Sequence, residues 1–182
     1  MVPIVSGILS LMQHLISLQE DPAKYNLEYC PHPSCGKSGL WCHGYRYRKA
    51  DRENNDQMSS LNPVPILRLY CPTCRRTCSL LPECIPPLRW YLWRIQQSAV
   101  MLFFSGMSLN EISKKTLPSR WTISRWIKRL ANQFTLHALH LKTQWSWLGY
   151  HTSLNEFWSA LLDKIDLSSA MLFLNNQGVI VP

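Results

Sequence analysis

Acidic side chains are scarce in this chain. Its 182 residues hold eleven Asp and Glu against nineteen Lys and Arg, a net charge of +8 with a pI near 9.3. That imbalance points toward a polyanionic partner. Charge of either sign is limited to 16% while hydrophobic residues reach 46%, which excludes a disordered tail. Long apolar runs are absent too. No window of about 18 uninterrupted apolar residues exists, so no membrane span is expected. The apolar first twenty residues lack a basic start and a small-residue cleavage site, and Gln13, His14 and Gln19 interrupt them. The expected location is therefore cytoplasmic, in association with the nucleoid. There is no internal repeat and no low-complexity run.

The positive charge is unevenly placed. Residues 1–29 sum to −2, residues 30–90 to +5, residues 91–142 to +7 and residues 143–182 to −2. Within 91–142 the only acid is Glu111. Two adjacent segments thus carry the whole excess, as a binding face would.

Periodicity divides the chain into four segments. In residues 1–22, Ile4, Ile8, Leu11, Leu15 and Leu18 recur at steps of three and four, predicting an amphipathic helix that Asp21-Pro22 stops. It is expected to pack on the remaining fold, with self-association as the alternative. Residues 24–87 hold every cysteine and many prolines, and the runs Leu40–Trp41, Tyr45–Tyr47 and Ile66–Tyr70 read as strands. The polar stretch Lys49–Ser60 reads as a loop or hairpin tip. Residues 88–142 read as helical: a long apolar helix over Leu88–Phe104, a second opened by the capping-box pair Ser108 and Glu111, and a third from Ser119 to about Asn132. Pro118 ends the second helix by Leu117. In residues 143–182, Ser153 and Glu156 repeat the capping spacing ahead of a stripe from Leu154 to Ile165. Met171–Leu174 and Val179–Val181, separated by Asn175-Asn176-Gln177-Gly178, read as a β-hairpin.

Seven cysteines is an odd number, and their CxxC-type pairing favours metal over disulfides. Cys30-Pro-His-Pro-Ser-Cys35 and Cys71-Pro-Thr-Cys74 are two turns separated by 35 residues. Short turns of this kind let two thiolates reach one ion, and four soft ligands suit tetrahedral zinc. Gly36 permits the backbone reversal after the first turn. Arg75 and Arg76 follow the second and would offset the negative charge of an all-thiolate centre. Four protein thiolates leave no open position, so the expected cofactor is one structural zinc ion held by Cys30, Cys35, Cys71 and Cys74. His32, Cys42 and His43 are competing ligands. Cys78 and Cys84 read as core cysteines, and a redox role for Cys71–Cys74 is disfavoured because the pair does not open a helix.

Residues 108–130 carry a helix-turn-helix pattern. Ile123 lies eleven residues after Ile112 and Trp126 fourteen after it, the spacing at which two crossed helices bring their apolar faces together. Ile123, Trp126, Ile127 and Leu130 form the stripe. The opposite face carries Ser119, Arg120, Thr122, Ser124, Arg125, Lys128 and Arg129, with Lys114 and Lys115 ending the preceding helix. These are residue types that contact phosphates and base edges. Trp121 is open to two readings, a packing residue, which is favoured, or a contact to sugar or bases, and the turn has Leu117-Pro118 where glycine is common. An ordinary helical hairpin with a solvated face is the alternative.

This arrangement resembles the N-terminal portion of bacterial insertion-sequence transposases, where a zinc ribbon precedes a helical DNA-binding domain. The matching residues are Cys30-Pro31, Cys35-Gly36, Tyr45-Arg46 and the run Leu69–Pro82, then the helical pair; Cys78 stands where that pattern usually has an aromatic residue. It is similar in particular to a transposase-like group of unassigned function. In such families a catalytic domain follows, with three carboxylates holding two metal ions. Beyond residue 142 the only acids here are Glu156, Asp163 and Asp166, crowded around one predicted helix. The chain is accordingly not expected to be an enzyme.

The resulting expectation is an α+β chain, mainly α: a small four-cysteine zinc ribbon (24–87), a helix-turn-helix domain (88–142), and a C-terminal helix with a short hairpin (143–182). Its function would be sequence-specific DNA binding as an accessory, orphan or truncated transposase. A protein-interaction or transcription-regulatory module is the alternative, and an active transposase or nuclease the least favoured. Expected partners are double-stranded DNA and either a second copy or a transposase subunit, with no membrane.

Overall fold

Ile4 and Val5 form a two-residue strand, β1, and not the first turn of a helix. The computed structural model describes residues 2–52, 59–87, 91–179 and 181. The chain divides into two compact units, Met1–Trp90 and Tyr91–Pro182. Among the described residues it is α+β, with seven α-helices and two small sheets.

In the first unit, Gly7 turns the chain at φ 77° and Ser10 caps helix α1 (Leu11–Glu20), its side chain accepting from the Gln13 amide at 3.1 Å. The helix therefore starts late, and Ile4 and Ile8 lie outside it. Its buried stripe is Leu11, His14, Ser17 and Leu18. His14 is fully buried, yet both ring nitrogens have partners: Nε2 lies 2.7 Å from the Pro65 carbonyl, and Nδ1 bonds the Tyr25 hydroxyl. A carbonyl only accepts, so Nε2 carries the proton and Nδ1 accepts from Tyr25.

Three antiparallel strands follow: β2 (Trp41–Arg48), β3 (Val64–Cys71) and β4 (Arg76–Ser79), with β3 central. The register runs from Trp41 opposite Tyr70 to Arg48 opposite Val64, with an irregularity between Cys42 and Tyr45 where Gly44 takes φ 74°. Leu67 and Leu69 of β3 join Ile8, Leu18, Tyr25 and Leu80 in one core. Strand β5 (Leu81–Pro82) then pairs in parallel with β1, Ile4 opposite Leu81. The pairing is reinforced by the Glu83 amide donating to Val5 (3.0 Å) and the Cys84 amide to Ile8 (3.1 Å). Half of the predicted loop Lys49–Ser60, residues 53–58, lies outside the described residues, and Ala50 and Asp51 at its base are buried.

The second unit is helical. Helix α2 spans Trp93–Phe104; residues 88–90 of the predicted helix lie outside the described residues, and Leu92 is extended at its N-cap. Its end is a Schellman turn at Gly106 (φ 92°), with the Gly106 and Met107 amides donating to Phe103 and Leu102 at 3.0 and 3.1 Å. Helix α3 (Leu109–Lys115) opens on the full Ser108–Glu111 capping box. Helices α4 (Arg120–Asn132) and α5 (Phe134–Gln144) are separated by Gln133 alone. A 3-10 turn over Ser146–Tyr150 leads to α6 (Leu154–Lys164), capped by Ser153, and α7 (Leu167–Asn176) completes the unit.

Helix α7 replaces the expected hairpin. Leu167, Ala170, Met171 and Leu174 are buried at helical spacing, and Asp166 caps them by accepting from the Ser169 amide at 3.2 Å. Gly178 (φ 77°) is a helix terminator and not a hairpin turn, since the Gly178 and Val179 amides donate to Asn175 and Leu174 at 3.0 Å each. Ile112, Ile123, Trp126 and Leu130 share one hydrophobic cluster with Phe157, Trp158, Leu161 and Met171. Residues 143–182 are thus part of the same core as the preceding helices. No helix among the described residues is long and apolar enough to cross a membrane.

Candidate metal centre and basic helix

The two cysteine turns are built differently but present the same ligands. In the first, the Cys35 amide donates to His32 (2.9 Å) and the Cys30 amide to Lys37 (2.8 Å), while Tyr29 and Ser38 form an isolated antiparallel bridge. In the second, Cys71 ends β3 and pairs with Arg76 at the start of β4, so Cys74 lies in a tight hairpin turn. Each turn closes on a left-handed residue, Gly36 at φ 58° and Arg75 at φ 57°. Among the described non-glycine residues Arg75 alone has a positive φ.

These turns bring Cys30, Cys35, Cys71 and Cys74 together with all four sulfurs within 4.8 Å of one another. Cys30 and Cys74 are 3.7 Å apart, as are Cys35 and Cys71. None is in a disulfide, and one metal ion would touch all four. Cys71 and Cys30 are buried, Cys35 and Cys74 partly so. The backbone amide of Cys74 is the main cause that lowers the Cys71 thiol to about 7. Burial pushes Cys30 up to about 12 and also raises Cys74. A bound cation would reverse that bias by stabilising the thiolates.

The competing ligands stay outside this group. His32 has its ring nitrogens against the Ser34 hydroxyl and the Arg76 guanidinium. His43 packs on Tyr70 with ring centroids 5.6 Å apart, and Cys42 is exposed on β2. Cys78 packs against the core of the first unit and Cys84 is buried.

In the second unit, α3 and α4 are joined by residues 116–119. The Thr116 hydroxyl returns to the Ile112 carbonyl at 2.8 Å, and Ser119 caps α4 by accepting from the Thr122 amide at 3.4 Å. Ile112 and Ile123 are fully buried and Trp126 and Leu130 nearly so. The other side of α4 leaves Arg120, Arg125, Lys128 and Arg129 exposed, with Thr122 and Ser124 half-buried. Lys114, Lys115 and Ser119 are exposed at the end of α3 and in the turn. Arg120 is tied to Asn110 at 3.3 Å.

Trp121 does not pack in the core. It is 69% exposed, and the Arg120 guanidinium lies over its ring at 5.1 Å from the centroid. Its position directly after Arg120, off the Ile123–Trp126–Leu130 stripe, is the signal that places it outside. The left-handed Arg75 went unrecognised because no glycine marks it; its equivalence to Gly36, one residue after the closing cysteine, is the clue.

No curated protein and no solved structure matches the chain. A family model described as a domain of unknown function (DUF6431) matches residues 30–126, from the first clustered cysteine to Trp126 of α4. That span takes in both cysteine turns and the α3–α4 pair, and it exceeds half of the chain. By that match the protein belongs to the DUF6431 family.

Proposed function

We propose that this chain is a zinc-containing, sequence-specific DNA-binding protein related to insertion-sequence transposases, acting without chemistry of its own. The observation that carries the reading is the exposed cationic face of α4. Arg120, Arg125, Lys128 and Arg129 project opposite a buried Ile123–Trp126–Leu130 stripe on a helix whose start is capped and adjoins a short preceding helix. That is the layout by which a helix-turn-helix lays its second helix in the major groove, with Lys114 and Lys115 placed to meet phosphates.

The four cysteines support the zinc part of the proposal. Zinc–thiolate bonds of about 2.3 Å set tetrahedral sulfur–sulfur edges of about 3.8 Å. The pairs at 3.7 Å match that edge. With four thiolates the ion would have no open position, so it would brace the turns and supply no catalysis. A zinc ribbon formed by the antiparallel strands and the two turns would serve as the frame of the first unit.

The test is duplex binding as a function of salt, starting from a random-sequence duplex at low salt and proceeding to site selection. Affinity should fall by roughly 0.9 log unit per neutralised phosphate for each log unit of salt. A combined Arg125→Ala and Lys128→Ala variant should lose affinity and reduce the salt slope by roughly 2. Absence of duplex binding at low salt would overturn the reading. Duplex binding indifferent to the α4 variant would move the interface elsewhere and favour a protein-interaction role for this helix.

A further inference from the structure

The sheet of the first unit borders a cavity of about 640 Å³ whose wall carries Arg46, Arg48, Lys49, Arg52 and Arg76. No Asp or Glu lines it among the described residues. The unit's nearby buried acids bond backbone amides: Glu83 accepts from Gly7 at 2.8 Å and Asp51 from Leu61 at 3.0 Å. Arg46 and Arg48 pair across to Ile66 and Val64, so they leave β2 on the same side. Like charges so placed repel. Arg48 is half-buried and reaches the Pro86 carbonyl at 3.5 Å, and burial, then the charge of Arg46, holds its pKa below the usual guanidinium value. A concavity that concentrates positive charge at such a cost gains from taking up an anion.

The shape narrows the choice of anion. Its volume lies within the ~300–1,000 Å³ of small-ligand pockets. Several guanidinium forks suit an oxyanion with many acceptors, as a phosphate ester has and a lone carboxylate does not. Tyr47, between Arg46 and Arg48 in β2, leaves the strand on the opposite side, so the cations alone define the recognition.

We infer that this cavity binds a phosphate ester, its cations holding the phosphate groups. The phosphate belongs either to a free small molecule or to one nucleotide of a single strand, which present the same chemistry. The site lies wholly in the first unit and is independent of α4.

Calorimetric titration of the full chain with pyrophosphate, ATP and a 5′-phosphorylated eight-residue single-stranded oligothymidylate tests it. ATP or the oligonucleotide should bind saturably at one per chain. An Arg46→Ala and Lys49→Ala double variant, altered only at exposed positions, should weaken binding about tenfold or more with an unchanged melting temperature. ATP tighter than the oligonucleotide identifies a free-nucleotide site; the reverse order identifies a single-strand site. No saturable binding of any probe at low salt, or binding unchanged in the double variant, overturns the site. Duplex binding lost with the α4 variant but retained in Arg46→Ala and Lys49→Ala separates this result from the fate of the DNA-binding reading.

Discussion

Gly36 and Arg75 take the same left-handed backbone, φ 58° and 57°, each one residue after the cysteine that closes its turn. The two turns are unrelated in length, yet both need the chain to reverse immediately behind a ligand. Glycine does this without strain, whereas a side chain in this region costs on the order of 1–3 kcal/mol. Gly36→Ala should therefore destabilise the first unit by about 1 kcal/mol, and Arg75→Gly should stabilise it by up to about 1 kcal/mol. Denaturant unfolding reads both. A loss of stability in Arg75→Gly would show that the arginine side chain contributes more than its backbone costs.

Metal removal should be the most severe perturbation of the first unit. The cluster joins residues far apart in the chain, and structural zinc contributes on the order of 10 kcal/mol to small folds. Metal analysis should find one zinc per chain, and Cys71→Ser should abolish it. Chelation should melt the first unit and leave the helical signal of Tyr91–Pro182 largely intact. Reduced, chelator-free protein with no metal would refute the centre.

His14 predicts a pH dependence. Burial first, opposed by the bond to Pro65, holds its folded pKa below the unfolded value of about 6.5. The folded state thus binds fewer protons, so the stabilisation is complete above about pH 6.5 and is lost as pH falls through the lower folded value. Thermal melts between pH 7.5 and 5 should fall more steeply for the native chain than for His14→Gln, which has no proton to take up. Parallel slopes would assign the acid sensitivity to the cysteines.

The buried and exposed faces of α4 should separate cleanly. Ile123→Ala removes a fully buried side chain beside Ile112 and Trp126. It should cost about 2–5 kcal/mol. Arg125→Ala with Lys128→Ala touches exposed positions and should change stability by less than about 0.5 kcal/mol. Melting temperature and duplex affinity measured on both variants check this. A large stability loss in the charge variant would mean that this face is a packing surface.

What the sequence disclosed followed the range of each interaction. The cysteine quartet was legible because ligand spacing is a local requirement with few alternatives. The Ser108–Glu111 box and the Ser153 cap were legible for the same reason, each spanning three residues; the Ser119 cap, with no acid three residues on, was not. Strand β1 was not, because its partner Leu81 lies far along the chain and Ile4 and Ile8 happen to continue the period of α1. Gly178 misled in another way. A left-handed glycine ends a helix as readily as it turns a hairpin, and only the buried Leu167–Ala170–Met171–Leu174 stripe decides between them. The cationic cavity was hidden because its arginines come from β2, the segment just after it and the start of β4, brought together by the fold and not by spacing.

The pairing of β1 with β5 also sets an order of events during synthesis. The strand that emerges first has nothing to bind until the segment around Leu81 has cleared the ribosome, so until then Ile4 and Val5 offer an open edge and Ile8 lacks its cover. The β1–β5 pair can therefore form only late, after both cysteine turns are already out. A shortened chain that ends between Cys74 and Leu81 would carry all four thiolates on an unclosed fold, open to degradation.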